Sequence, residues 1–454
     1  MFMRDLFILM LLLCSCSTST RVELLITNLK VVDVLNDTVY ANQYVGISAD
    51  TIVEVGHLDQ LSLNADQILD AQGLYIMPGL WDMHVHFRGG EELISENKQL
   101  LNLFLAYGVT TVRDAGGDIT PVVLDWKNKI DSGKLNGPKI FTSGPKLDGN
   151  KPAWKGSIKV ISESDVIKAL DSLEELGVDY VKTYDGSLTR EAYYWIIEEA
   201  EKRGLKTTGH MPLSARIEEA MDLGLDGSEH MYYSLKSCSP LADSLTELGM
   251  GYSMIIPIVE SYDSLLAAAL FEKMARQNFF VTPTSFIGKT LDELAYADHS
   301  KDTLLTKIGD GIRKTYQRRI DRAIRSAEKG NSRYGKVEAL SNTIIESMFD
   351  AGVYILSGSD CGAFNSFVYP GESLHGELRS LVNLGLTPRE ALMTSIIYGP
   401  IFFGMEDDFG AVEEGKVADL ILLKGNPLQN IEYANEISYI VRKSILYTPK
   451  DFLD

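Results

Sequence analysis

Seven histidines occur in 454 residues, and four of them stand at the ends of apolar runs in a pattern suited to metal binding. His84 and His86 lie on one such run, where the two-residue period of a strand turns both imidazoles to the same face. His210 and His230 end two later runs, and Asp360 follows another. Neutral imidazole and carboxylate suit zinc, and a site with an open coordination position can hold a reactive water. Two ions about 3.5–4 Å apart can clamp a hydroxide and polarise a scissile carbonyl. A single histidine is ordinarily a hydrogen-bonded core residue; a His-x-His with two further strand-end histidines fits that reading poorly. Lys182 is the other outlier, inside Tyr180-Val181-Lys182-Thr183-Tyr184. A buried ammonium costs several kcal/mol unless paired or neutralised. A salt bridge to Asp185 or another acid would serve, and so would carbamylation by CO2, which makes the side chain an anion able to bridge two cations.

Residues this far apart meet only if the chain converges their strand ends. Eight apolar strands are expected, at Trp81–His86, Val109–Arg113, Lys139–Ser143, Asp179–Tyr184, Lys206–His210, Gly227–Met231, Phe279–Thr282 and Val353–Ser357. Helical stretches separate them. Ser162 and Asp165 open one in capping-box style, and Thr387-Pro388-Arg389-Glu390 opens another. Strands alternating with helices predict an α/β fold, a (β/α)8 TIM-type barrel whose strand C-termini share one face. Residues 21–75 and 405–454 are strand-rich instead and predict a small β-sandwich assembled from both ends of the chain, around a barrel over 76–404. No repeat at a fixed period is evident.

The composition narrows the partners. With 43 Lys+Arg against 63 Asp+Glu the net charge is −20, which argues against nucleic acid. Residues 301–336 run against that balance, with eleven basic and four acidic side chains. A solvated helix face is the better reading there, and a lid attracting an anionic substrate group is the functional one. The apolar run over residues 6–14 has signal-peptide length. Leu13-Cys14-Ser15-Cys16 resembles a lipoprotein cleavage box, which implies loss of residues 1–15, lipid on Cys16 and peripheral anchoring in a bacterial cell envelope. Cys238 and Cys361 are expected free and buried.

The chain resembles the metal-dependent amidohydrolase superfamily from about residue 22 to 445. The resemblance is carried by Pro78-Gly79-Leu80-Trp81-Asp82-Met83-His84-Val85-His86, by Gly108-Val109-Thr110-Thr111-Val112-Arg113-Asp114, by Ser357-Gly358-Ser359-Asp360 and by Gly415-Lys416-Val417-Ala418-Asp419-Leu420. It implies two divalent ions, zinc by preference. His84, His86 and Asp360 would hold one, His210 and His230 the other, with a carbamate on Lys182 bridging them. Asp360 would take the proton of a bridging hydroxide and pass it to the leaving amine. Within the superfamily the chain is similar to the branch of imidazolonepropionase-like proteins and of Xaa-Pro and Xaa-Arg/Lys dipeptidases. That branch carries Tyr two places after the fifth-strand histidine, where this chain has Pro212. Tyr184 and Tyr232 are candidates to replace it, with Arg88 and His375 as further substrate contacts. Arg88 could hold a carboxylate, whereas Arg113 is better read as a structural ion pair and His375 as a packing residue.

The expected function is metal-dependent hydrolysis of a C–N bond in an amide, dipeptide or cyclic amide. A deaminase or cyclic-amide hydrolase on a nitrogen heterocycle is the alternative enzyme, and a non-catalytic ligand-binding surface lipoprotein the alternative from another class. A small-molecule substrate is the expected partner, with the membrane met only through lipid and homo-oligomer formation left open.

Overall fold

The computed structural model describes residues 20–328 and 333–453. The cleavage box and Cys16 lie outside these residues, as do positions 329–332 of the basic stretch.

The first strands form one mixed sheet with the last three. They are β1 (Arg21–Asp33), β2 (Thr38–Ser48), β3 (Thr51–His57), β4 (Asn64–Asp70) and β5 (Tyr75–Pro78). The apolar runs Val22–Thr27 and Lys30–Val34, separable as two strands by their pattern, fall almost wholly within the single strand β1. The register shifts about Asn28, whose φ of 54° places it in the left-handed region, and the strand bends through that point without ending. The C-terminal strands β16 (Leu420–Leu423), β17 (Ile437–Arg442) and β18 (Ile445–Tyr447) join through antiparallel pairing of β16 with β5. The strand order is β18-β17-β16-β5-β1-β2-β3, with β4 on β1. This is one hydrogen-bonded sheet, not the two of the expected sandwich. It folds over because Ile52 N donates to Lys416 O and a bridge joins Thr51 to Val417, bringing the β3 edge back to the segment before β16. Leu24, Ile26, Val45, Ile47, Ile52, Leu420 and Leu422 fill the enclosed core.

Between these segments lie β6 (Leu80–Val85), β7 (Val109–Asp114), β8 (Lys139–Thr142), β9 (Leu147–Asp148), β10 (Ile158–Lys159), β11 (Val181–Thr183), β12 (Thr207–Gly209), β13 (Gly227–Glu229), β14 (Phe280–Thr282) and β15 (Tyr354–Ile355). All eight expected strands are present; β6 and β7 match to within a residue at each end, and the later six are shorter than expected. They fall into three parallel ladders rather than one continuous sheet: β6-β7-β8, β10-β9-β11-β12 and β13-β14-β15. Backbone bonds and a bridge between Val85 and Cys361 cross the gaps. Asp179 N donates to Thr142 O, Asp226 N to Thr207 O, and Met83 N to Ser357 O. Strands of two to six residues leave room for few ladder bonds.

Helices pack outside these strands with their predicted caps. Ser162 Oγ accepts from Asp165 N ahead of Glu163–Leu176, and Thr387 with Glu390 forms the full capping box ahead of Pro388–Ile396. Among the described residues no single helix is long and apolar enough to cross a membrane. Cys238 and Cys361 are free and buried.

Candidate metal and catalytic site

His84 ends β6 and its ring lies beside that of His86, their Nε2 atoms 3.3 Å apart. Asp360 Oδ1 stands 3.2 Å from His86 Nε2 and 3.6 Å from His84 Nε2. These three residues offer ligand atoms close enough to share one cation. His210 and His230 form a second pair with Nε2 atoms 3.1 Å apart, and the His230 ring centroid is 5.2 Å from that of His84.

The outer nitrogens explain why the inner ones converge. Three Nδ1–H groups donate away from the centre, His84 to Glu229 Oε2 at 2.5 Å, His86 to the Gly116 carbonyl at 3.0 Å and His210 to Asp185 Oδ1 at 2.9 Å, while His230 Nδ1 bonds the Thr284 hydroxyl at 2.7 Å. A donor at Nδ1 fixes the tautomer and leaves a lone pair on Nε2 of His84, His86 and His210. Facing lone pairs repel unless a cation lies between them. Two zinc–nitrogen bonds of about 2.05 Å at a tetrahedral angle would hold their nitrogens about 3.3 Å apart, close to both observed separations. The residues therefore fit divalent cations.

Asp360 is held from several sides. Its backbone N donates to His84 O at 2.7 Å, and Asn365 Nδ2 donates to its Oδ1 at 2.7 Å. Asp82 ties the same loop to β6 by accepting from Ser359 N and Ser359 Oγ. Gly358 allows the approach, since a Cβ there would sit 2.6 Å from His84 Cβ. Burial alone would raise the Asp360 carboxyl, but His84, His230, Arg88 and Arg319 together hold it below its usual range. His230, Thr284 and Asp360 all have φ between 53° and 64°. Such strain in non-glycine residues gathers at functional sites.

Lys182 on β11 is 1% exposed. The expected partner Asp185 is engaged by His210, and the nearest acid to Lys182 is Glu229, its Oε1 at 3.5 Å from Nζ. That is beyond a normal hydrogen bond, and Nζ has no hydrogen-bond partner. Burial brings the amine down to about 8, against the opposing pull of Glu229, so an appreciable neutral fraction is available near neutral pH.

Glu229, which the sequence reading passed over, organises the centre. It accepts from Arg113 Nη2 at 2.8 Å and Thr208 Oγ1 at 2.9 Å as well as from His84. Burial would raise it, but Arg113, Lys182 and His84 hold it well below the ordinary glutamate range. Arg113 is thus the structural ion pair expected, with Glu229 as its acid. Glu229 gave no sign in the sequence beyond being an acid on an apolar strand.

The substrate-contact candidates divide. Tyr184 stacks on His210 with centroids 4.3 Å apart, and Tyr232 lies 6.3 Å from His230. Arg88 lies over the Trp154 ring at 4.3 Å. His375 is buried elsewhere: Nε2 bonds the Tyr107 carbonyl at 2.9 Å, so its polar atom serves packing and not a ligand.

The Amidohydrolase family profile matches residues 75–444. The chain belongs to the amidohydrolase family. Membership assigns it to metal-binding hydrolases of carbon–nitrogen bonds. This amidohydrolase is 22% identical over 395 residues to ochratoxinase of Aspergillus niger, covering 80% of this chain and 72% of the relative. It is 28% identical over 183 residues to dihydroorotase of Lactobacillus gasseri, covering 38% of this chain and 40% of that relative's length. Among solved structures it superposes on a Xaa-Pro dipeptidase with TM-score 0.68 at 20% identity, covering 94% of this chain and 99% of the other. Bottromycin amidohydrolase gives TM-score 0.73 at 20% identity, covering 94% and 87%. At these identities the likeness is one of fold, a TIM-type barrel with a small β domain.

Proposed function

We propose that this amidohydrolase cleaves an amide, dipeptide or cyclic amide with two zinc ions, on a (β/α)8 barrel over residues 76–404 framed by segments 21–75 and 405–454. The observation that carries the reading is the convergence of four Nε2 atoms, three of them set as acceptors by an outward Nδ1–H bond, beside a carboxylate. His84, His86 and Asp360 would hold one ion and His210 and His230 the other, with carbamylated Lys182 between them. Such ions polarise the scissile carbonyl and activate water.

The chain's own residues do the rest. Asp360, kept ionised by the cations around it, takes the proton released as water adds to the carbonyl and delivers it to the departing nitrogen. The bond of Asn365 Nδ2 to Oδ1 holds the carboxylate in one rotamer through both transfers. Lys182, unbonded and with a lowered amine pKa, can react with CO2 through its neutral form; Arg113 counters the negative charge of neighbouring Glu229. The match to dihydroorotases supports, as the second reading, a deaminase or cyclic-amide hydrolase acting on a nitrogen heterocycle.

The test is a screen of N-acyl amino acids, dipeptides and cyclic amides with enzyme loaded with zinc in bicarbonate. Wild type should bind about two ions and turn over one class, while Asp360→Asn should stay folded and lose at least 10^3-fold in kcat, the upper part of what a general acid–base contributes. Near-wild-type hydrolysis by that variant would refute the base role. We further propose export to a bacterial cell envelope with lipid on Cys16. Mass analysis of the mature N-terminus should find a diacylated Cys16, and Cys16→Ser should release the enzyme from the membrane fraction.

A further inference from the structure

His210 is supported differently from His84. Behind His84 stands Glu229, whose charge is balanced by Arg113. The acid behind His210 is Asp185, with its side chain only 4% exposed. Among the described residues no lysine or arginine lies within ion-pair distance of it. Hydroxyl groups meet its charge instead. Oδ1 accepts from His210 Nδ1 at 2.9 Å, while Oδ2 accepts from Tyr233 Oη at 3.2 Å and from Tyr252 Oη. The two phenol oxygens are 3.3 Å apart, so they reach one carboxylate oxygen side by side. Donors on Oδ2 fix the rotation of the carboxylate and keep Oδ1 aimed at His210.

The two tyrosines come from different pieces of chain. Tyr233 lies on helix Tyr232–Ser237, which begins two residues after His230. Tyr252 lies on the turn Gly251–Met254, within an excursion of the chain between β13 and β14. That excursion is closed at its neck, where Asp263 N donates to Cys238 O at 2.8 Å and the Ser239 and Ser261 hydroxyls bond at 2.6 Å. Met254, Ile255 and Ile258 bury its inner side in the core, whereas Leu248 on its outer side is 74% exposed. Tyr252 thus carries a hydroxyl from this excursion to an acid 67 residues away along the chain.

We propose that Tyr252, together with Tyr233, is a positioning residue for the second metal ion, acting through Asp185 on His210. Docking of residues 239–262 then becomes a condition for a well-formed His210–His230 pair. The inference rests on the two-ion reading above. Metal–ligand distances tolerate only about 0.2 Å of error, so a small turn of the His210 ring is enough to weaken its bond to an ion.

Tyr252→Phe keeps the ring and removes the hydroxyl. In zinc titrations against a chelator it should loosen one of two ions by about 10-fold, the loss usual for an outer partner of a ligand. That ion should be the one that His210→Asn abolishes, and the other should stay within about 2-fold of wild type. A second reading needs no metal. The His210 Nδ1–H resonance, assigned by its absence in His210→Asn, should exchange with solvent several-fold faster in metal-free Tyr252→Phe. If Tyr252→Phe does not fold, Tyr233→Phe should give the same two results. A tyrosine that only packs would lower the unfolding midpoint and leave the Nδ1–H exchange and the ratio of the two affinities as in wild type. That outcome, or equal loosening of both ions, would overturn the proposal. Faster exchange in the variant of a protein that binds no second ion would leave the clamp on Asp185 standing and refute the two-ion reading.

Discussion

The chemistry depends on side chains whose roles are set by what they bond outside the centre. Glu229 shows this best, because it fixes His84, neutralises Arg113 and lies nearest Lys182. Glu229→Gln keeps the shape but removes the charge. Loss of such an outer partner typically weakens metal binding by about 10- to 100-fold, which a chelator competition would read. Leaving Arg113 buried without its acid should also cost about 3 kcal/mol in denaturant unfolding. Unchanged zinc affinity in the variant would show that the carboxylate does not orient His84. Sequence pattern did point to the candidate ligands, since a strand's two-residue period puts His84 and His86 on one face. It could not place His230 with Glu229, because consecutive strand residues point to opposite sides. The left-handed φ of 64° at His230 turns its ring back toward the centre, and only coordinates reveal that turn.

At the scale of elements, helix Asp310–Glu328 begins where Glu96, on helix Ile94–Ala106, caps it from a distance. Glu96 Oε1 and Oε2 accept from Gly311 N and Ile312 N at 2.9 and 2.6 Å. A carboxylate there satisfies two free N–H groups and opposes the positive end of the helix. Glu96→Ala should destabilise this helix by about 1 kcal/mol. Hydrogen exchange over residues 310–328 should accelerate while β6 and β7 stay protected; uniform exchange would contradict a helix secured by Glu96. Element boundaries between residues 80 and 355 were legible because apolar strands alternate with capped helices. The joining of two expected strands into β1 was not, since a bulge at Asn28 reads as a turn in one dimension.

At the scale of the whole molecule, β5 and β16 pair across more than 340 residues of chain. Removal of residues 405–454 should therefore leave β1 and β5 with an exposed apolar face and give insoluble protein, whereas soluble, cooperatively unfolding product would show an autonomous N-terminal unit. Global stability should also carry a pH signature from Glu338 on helix Arg333–Asp350. Burial, reinforced by Asp292, raises its carboxyl from 4.5 to about 7. The folded state then holds the proton more tightly than the unfolded one, so this stabilisation is complete below pH 4.5 and disappears as pH rises through 7. Glu338→Gln should be indistinguishable from wild type at pH 4 and more stable by about 1–3 kcal/mol at pH 8. Equal stability at both pH values would mean that Glu338 titrates normally. The sequence alone determined the kind of chemistry, the eight strands and the candidate ligands, because residue type and local periodicity are written along the chain. Tertiary structure decided which acid holds which base, that β1 runs unbroken through Asn28, and that the strands from both ends of the chain form one hydrogen-bonded sheet and not two. Those are facts of through-space proximity, fixed by hydrogen bonds and burial between residues whose distance along the chain carries no record of it.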